Sequence, residues 1–182
     1  MSKDIDAALS ALRSGGIIAY PTEAVYGLGC DPANESALQR ILDVKTREAH
    51  KGFIVIASAQ EQLAPYIGEL KPEWQSQLDD HWPGPVTFIL PAAATASQLL
   101  TGQRDTLAVR VSSHPLVVKL CQAYGGAIVS TSANRSGHPP LQTGSEVASV
   151  FHNSIDAIID ANVGTLASPT RIIDIQTGKR LR

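Results

Sequence analysis

Ile17-Ile18-Ala19-Tyr20-Pro21-Thr22-Glu23-Ala24-Val25-Tyr26-Gly27-Leu28-Gly29 is the stretch whose reading decides the fold. Ile17 to Ala19 reads as a short buried strand. Pro21 has no backbone N–H to give to a neighbouring strand, so the strand stops or becomes an edge there. Gly27 and Gly29 permit backbone angles that other residues resist, and they let a ligand approach the main chain. Between them and the strand sit a hydroxyl (Thr22), a carboxylate (Glu23) and a phenol (Tyr26). Asp31 to Val44 then reads as a helix with Leu38, Ile41 and Leu42 as its apolar stripe. The stretch is thus a strand-to-helix connection with a polar loop, the place where open α/β sheets hold ligands. The dinucleotide fingerprint Gly-x-Gly-x-x-Gly is absent.

Outward from this stretch, Ile5, Ala8, Leu9 and Leu12 fall at helical spacing, and Gly15-Gly16 ends that helix. Phe53 to Ala57, Val86 to Leu90, Leu107 to Val111, Ala127 to Thr131, Asp156 to Asp160 and Arg171 to Ile175 read as further strands. Gln60 to Ile67 reads as a short helix. Pro72 opens another, with Trp74 and Leu78 on one side. Trp82-Pro83-Gly84-Pro85 is a rigid turn with an aromatic anchor. His114-Pro115 starts a helix that runs to Tyr124, and Thr143 and Glu146 have capping-box spacing for one running to Phe151. Gln176-Thr177-Gly178-Lys179 turns the chain. The alternation is not a clean βαβ rhythm, so the expected fold is α/β: a twisted, mixed, open sheet flanked by helices.

The 182 residues suffice for one domain spanning 1–182, and 43% hydrophobic with 18% charged residues is ordinary for a globular chain. A formal net charge of −2 argues against a surface built mainly to hold nucleic acid. Cys30 and Cys121 are far apart in sequence and read as buried, reduced thiols. The N-terminus lacks the pattern of a signal peptide and no apolar run spans a bilayer, so a cytoplasmic protein is expected.

Several residues could carry chemistry. Lys45 and Arg47, two apart beyond a helix end at Val44, share a face if the chain is extended there, with Lys51 near. Such a set suits a polyphosphate or a carboxylate, although a lone Lys-x-Arg reads equally as a solvated loop. Arg110 interrupts the apolar strand Leu107-Ala108-Val109-Arg110-Val111, and two readings stay open: a solvent-facing edge or an anionic ligand. His114 reads as structural. Ser130-Thr131-Ser132-Ala133-Asn134-Arg135-Ser136-Gly137 ends a strand with hydroxyls and amides that suit phosphate or carboxylate oxygens. There is no Walker motif, no His-Glu-x-x-His, no Cys/His cluster and no Gly-x-Ser-x-Gly elbow. The residues alone thus indicate an α/β domain suited to an anionic ligand.

Taken together and in order, Pro21-Thr22-Glu23-Ala24-Val25-Tyr26-Gly27-Leu28-Gly29, Lys45-x-Arg47, Trp82-Pro83-Gly84-Pro85-Val86-Thr87, Val109-Arg110 with His114, and Ser132-Ala133-Asn134-Arg135-Ser136-Gly137 resemble the YrdC/Sua5 family. Weaker similarity continues through Ser168-Pro169-Thr170 to Asp174. The length and Ala24 resemble the short bacterial form. The resemblance implies a threonylcarbamoyl-AMP synthase with a YrdC-like fold around a basic cavity. L-threonine, bicarbonate or CO2, and ATP would give threonylcarbamoyl-adenylate and pyrophosphate, for modification of adenosine 37 in tRNAs that read codons beginning with A. Mg²⁺ would arrive with ATP, and tRNA threonylcarbamoyl-transfer proteins would take the product. Carried over by position, Lys45, Arg47, Ser132 and Asn134 form the catalytic set. Arg47, Lys51, Thr106, Ser132 and Thr170 face ATP; Thr22, Arg110 and Ser130 face threonine, and Tyr26 borders the same cavity. The chain departs from the family pattern at Glu48, Gly52-Phe53, Ser112-Ser113 and Pro140-Leu141-Gln142. The alternative from another class is a non-catalytic factor that binds tRNA or double-stranded RNA.

Overall fold

The computed structural model describes residues 3–166 and 170–182; Ser168 and Pro169, which carry part of the late similarity, lie outside these. The elements in chain order are α1 (Lys3–Arg13), β1 (Ile18–Pro21), β2 (Tyr26–Gly29), α2 (Glu35–Lys45), β3 (Ile54–Ala57), α3 (Pro72–Asp79), β4 (Val86–Pro91), α4 (Gln98–Thr101), β5 (Thr106–Val111), α5 (Pro115–Tyr124), β6 (Ile128–Ser132), α6 (Gly144–Phe151), β7 (Ala157–Ile158) and β8 (Arg171–Asp174). The strands form one eight-stranded sheet in the order β7-β1-β2-β6-β3-β5-β4-β8. Parallel pairs (β1 with β7, β3 with β5, β4 with β8) mix with antiparallel ones, as the irregular alternation of elements predicted.

The opening stretch is not a strand-to-helix loop. Tyr26 to Gly29 forms a strand of its own, antiparallel to β1, and only Thr22 to Val25 turn. The turn closes where Pro21 ends β1, with Thr22 N–H and Oγ–H both donating to Val25 O at 3.0 and 2.8 Å. Gly29 serves packing rather than a ligand. A Cβ there would lie 2.4 Å from Val129 O and 2.8 Å from the Tyr20 ring, so only glycine lets β2 pass between them. Tyr20 itself donates from its hydroxyl to Val129 O at 2.9 Å, and burial pushes its pKa far up.

The helix after the hairpin begins later than expected, at Glu35, because Asn34 caps it by accepting from Ala37 N–H. It also runs one residue further. Lys45 is its last residue, and Thr46 reverses the chain in the left-handed region at φ 52°. Lys45 and Arg47 therefore do not share an extended face, contrary to the sequence expectation. The segment Gln60 to Leu63 is a single tight turn, and the four-residue α4 has no counterpart in the sequence reading.

Each sheet face buries its own helices. On one face Val55, Ala57, Phe88, Leu90, Leu107 and Val109 pack against α2 and α3 through Leu38, Ile41, Trp74 and Leu78. On the other, α1 and α5 cover Ile18, Tyr20, Ile56 and Ile128 through Ile5, Leu9, Leu12, Val117 and Leu120. The period of two carries this second face onward along the strands, from Ile128 to Ser130 and Ser132, and from Ile56 to Ile54. No helix among the described residues covers that part, and the cavity lies there. Beside it, α6 packs Val147 and Phe151 on Ala19, Tyr26 and Leu28.

Candidate active site

The uncovered part of the sheet floors a cavity of about 370 Å³, within the range of small-molecule sites. Ile54, Ala108, Ser130 and Ile89 form one cross-strand row on its floor. Arg110 stands one row deeper, opposite Ile56 on the neighbouring strand. The hairpin turn contributes Thr22, Ala24 and Val25, and the segment after α2 contributes Arg47, Lys51, Gly52 and Phe53. Ile172 enters from β8 and Thr170 from the residue just before it, and Leu181 and Arg182 from the chain that folds back beside it.

Arg110 is 4% exposed, so the solvent-edge reading falls. Its Nη1 donates to Thr87 Oγ at 3.2 Å and Thr170 Oγ at 2.9 Å, and its Nη2 to Glu23 Oε2 at 3.2 Å. Glu23 in turn accepts from Ser112 Oγ at 2.6 Å. The Nε of Arg110 is buried without a partner among the described residues, and so is that of Arg47. Buried N–H groups are rarely left unpaired. Two guanidinium groups of the lining thus each keep a buried donor to spare, and charged donors of this kind suit anionic oxygens. Arg47 is otherwise fixed by donating to Gly52 O at 2.9 Å and by stacking over Phe53 at 5.9 Å; burial lowers its pKa. Gly52, at φ 58° and with Thr101 O 2.9 Å from where a Cβ would sit, must be glycine to turn that carbonyl inward.

Lys45 is 2% exposed and lies behind the wall, not on it. Its ammonium donates to Ser132 O, to Asn134 O at 2.6 Å and to Asn134 Oδ1 at 3.2 Å. Its own carbonyl accepts from Ser136 N–H at 2.9 Å. Burial, and secondarily Arg47, lower its pKa to about 7. Ser132 Oγ donates to Asn134 Oδ1 at 2.6 Å. The Lys-x-Arg and Ser-x-Asn residues thus meet in space, with Lys45 stapling the turn that presents Ser132.

Of the residues proposed from sequence, Thr22, Tyr26, Arg47, Lys51, Arg110, Ser130, Ser132 and Thr170 line this cavity. Lys45 and Asn134 support it from behind. Thr106 starts β5 on the cavity-facing side, two residues above Ala108, and does not reach the lining. His114 also stays outside; its Nδ1 is buried with no partner among the described residues, and burial lowers its pKa. Sequence reasoning missed Arg104, which comes from an irregular loop, and Arg182. The turn at Gln176–Lys179 followed by alternating Arg180 and Arg182 was a signal for the second. Arg182 Nε donates to Thr170 O at 3.1 Å, and burial, then Arg110, lower its pKa.

Residues 10–182 match the profile of the Sua5/YciO/YrdC family, described as telomere recombination. The chain belongs to the Sua5/YciO/YrdC family. It is 48% identical over 175 residues to a threonylcarbamoyl-AMP synthase of Halorhodospira halophila, covering 96% of this chain and 92% of that one. A threonylcarbamoyl-AMP synthase of Nitrosococcus oceani is 50% identical over 171 residues, covering 94% and 92%. The solved P. abyssi Sua5 complexed with L-threonine superposes with a TM-score of 0.90 at 34% identity. It covers 97% of this chain, which spans about half (52%) of that one. E. coli YciO superposes at 0.80 with 28% identity, covering 93% and 82%.

Proposed function

We propose that the protein is a threonylcarbamoyl-AMP synthase, acting as one domain over residues 1–182. It joins L-threonine, bicarbonate and ATP into threonylcarbamoyl-adenylate, with release of pyrophosphate and of the water lost as bicarbonate gives CO2. One observation supports this above others. Five of the fifteen Lys and Arg residues (Arg47, Lys51, Arg104, Arg110 and Arg182) line a single cavity whose described lining holds no carboxylate, in a chain of net charge −2. A triphosphate and an amino-acid carboxylate together need that concentration of cations.

In this reading the threonine amine adds to CO2, losing a proton, and the carbamate oxygen attacks the α-phosphorus as pyrophosphate leaves. The work of the protein is alignment and charge neutralisation. Arg47, with its spare Nε and its packed ring partner, takes phosphate oxygens, and Lys51 and Ser132 flank it. Arg110 takes the threonine carboxylate through its spare Nε edge, with Thr22 and Ser130 lining the same end. Lys45 and Asn134 fix Ser132. Mg²⁺ would come with the triphosphate and would supply charge neutralisation to it; the described lining offers hydroxyls and no carboxylate, so no residue of this chain is assigned to hold it. The adenylate passes to proteins that modify tRNA in the cytoplasm. No helix among the described residues is long and apolar enough to cross a membrane. The cations sit inside a cavity sized for small molecules and not along an open groove, which disfavours RNA as the ligand.

The test is pyrophosphate release from ATP and Mg²⁺ with L-threonine and bicarbonate omitted one at a time. Release that needs both is expected. Folded protein that releases none, yet binds structured RNA in a salt-sensitive way, would overturn the reading.

A further inference from the structure

Glu23 was not among the residues expected in the site, yet it is 7% exposed and sits against the cation that faces the amino acid. Both carboxylate oxygens are engaged. Oε1 accepts from Ser112 Oγ at 2.6 Å, and Ser112 Oγ accepts from His114 N–H at 3.0 Å; Oε2 accepts from Arg110 Nη2 at 3.2 Å. Its main chain is fixed too, since Glu23 O accepts from Leu166 N–H at 3.1 Å, and Gly164 approaches so closely that a Cβ there would lie 2.6 Å from Glu23 O. Among the described residues this is the one ion pair with both partners buried. Lys51 pairs with Glu48 at the surface, where both are exposed, and Arg47 and Arg182 have no carboxylate side chain as partner among the described residues.

The wall therefore has two electrostatic ends. At one, Arg47 is a full positive charge with a spare donor. At the other, Glu23 offsets the charge of Arg110, the Arg110 Nη1 is used by two threonine hydroxyls, and Nε is left over; Arg182 stands beyond Thr170, held on its carbonyl. A neutralised fork still matches the two oxygens of a monoanionic carboxylate. With Glu23 beside it, Arg110 adds little net charge of its own for a triphosphate, and the buried Glu23 carboxylate repels one. We infer that Glu23 is a specificity-determining residue that sorts the two anions sharing this cavity, reserving the Arg110 end for the amino-acid carboxylate and leaving the triphosphate to Arg47. This rests on the synthase reading above, and it concerns a residue that acts through Arg110.

The experiment measures pyrophosphate release by the full chain over a matrix of ATP and L-threonine concentrations, with calorimetric binding of L-threonine in the absence of nucleotide. In the wild type, excess ATP does not compete with threonine. In Glu23→Gln, excess ATP inhibits competitively against threonine, and the threonine KM at high ATP rises by about tenfold over that at low ATP. Threonine still binds this variant when no nucleotide is present. Ser112→Ala, which frees one oxygen of Glu23, shifts the same way by less; it decides the matter if Glu23→Gln does not fold. No ATP competition in either variant overturns the inference alone. Loss of threonine binding by Glu23→Gln without nucleotide also overturns it, because Glu23 is then a prop for Arg110 and sorts nothing. A wild type that releases no pyrophosphate overturns the synthase reading and this inference together.

Discussion

Replacing Lys45 by Met separates burial from hydrogen bonding at the residue that staples the Ser132 turn. Burial lowers the Lys45 pKa from 10.5 to about 7. A lowered amine pKa means that, between those two values, the unfolded chain binds the proton that the folded chain has lost. Stability from this group therefore rises as pH rises from about 7 towards 10.5, with a limiting slope of about 1.4 kcal/mol per pH unit. Integrated from pH 7 to pH 9, the gain is about 2 kcal/mol. Methionine has a similar length, no charge and no donor. It removes the pH term and leaves Ser132 O, Asn134 O and Asn134 Oδ1 without their shared ammonium, a loss of about 2–4 kcal/mol. Urea unfolding of wild type and variant at both pH values is the assay. The wild type should gain about 2 kcal/mol more than the variant between pH 7 and pH 9. Parallel changes would refute the reasoning, since they would mean that the three oxygens hold the ammonium firmly enough to cancel the effect of burial.

Arg110→Met should raise the L-threonine requirement much more than the ATP requirement in steady-state pyrophosphate release; an equal rise in both would reject its place at the amino-acid end. The same variant leaves Glu23 buried without its cation and should lose about 3–5 kcal/mol in urea unfolding, with part of that recovered in the Arg110→Met, Glu23→Gln double variant. Arg47→Ala removes one charged donor set from the phosphate end, and should weaken ATP binding about 10- to 100-fold by calorimetry while threonine binding alone stays near that of the wild type. Thr143→Ala breaks the capping box at the start of α6, where Thr143 accepts from Glu146 N–H at 3.2 Å. It should cost about 1 kcal/mol of stability in urea unfolding, without changing either KM.

By itself the sequence determined the mixed α/β class, most of the strands and helices, the capping box at Thr143 and the family. It did so because apolar periodicity, caps and glycine stops are local signals, and because five short motifs in order are specific. It could also name Arg47, Arg110, Ser130, Ser132 and Thr170 as residues for an anion. It could not show that Tyr26 to Gly29 is a strand, because the need for glycine at Gly29 comes from Tyr20 and from Val129, a hundred residues away in sequence. Nor could it place Lys45 behind the wall and Arg47 on it, since a single left-handed residue, Thr46, sends the two side chains apart. Arg182 joins the wall only when the end of the chain folds back beside β8, and Glu23 becomes the partner of Arg110 only when the hairpin turn meets β5. The charge each cation presents to a ligand depends on burial and on neighbours brought from distant strands, and those are properties of the tertiary structure alone.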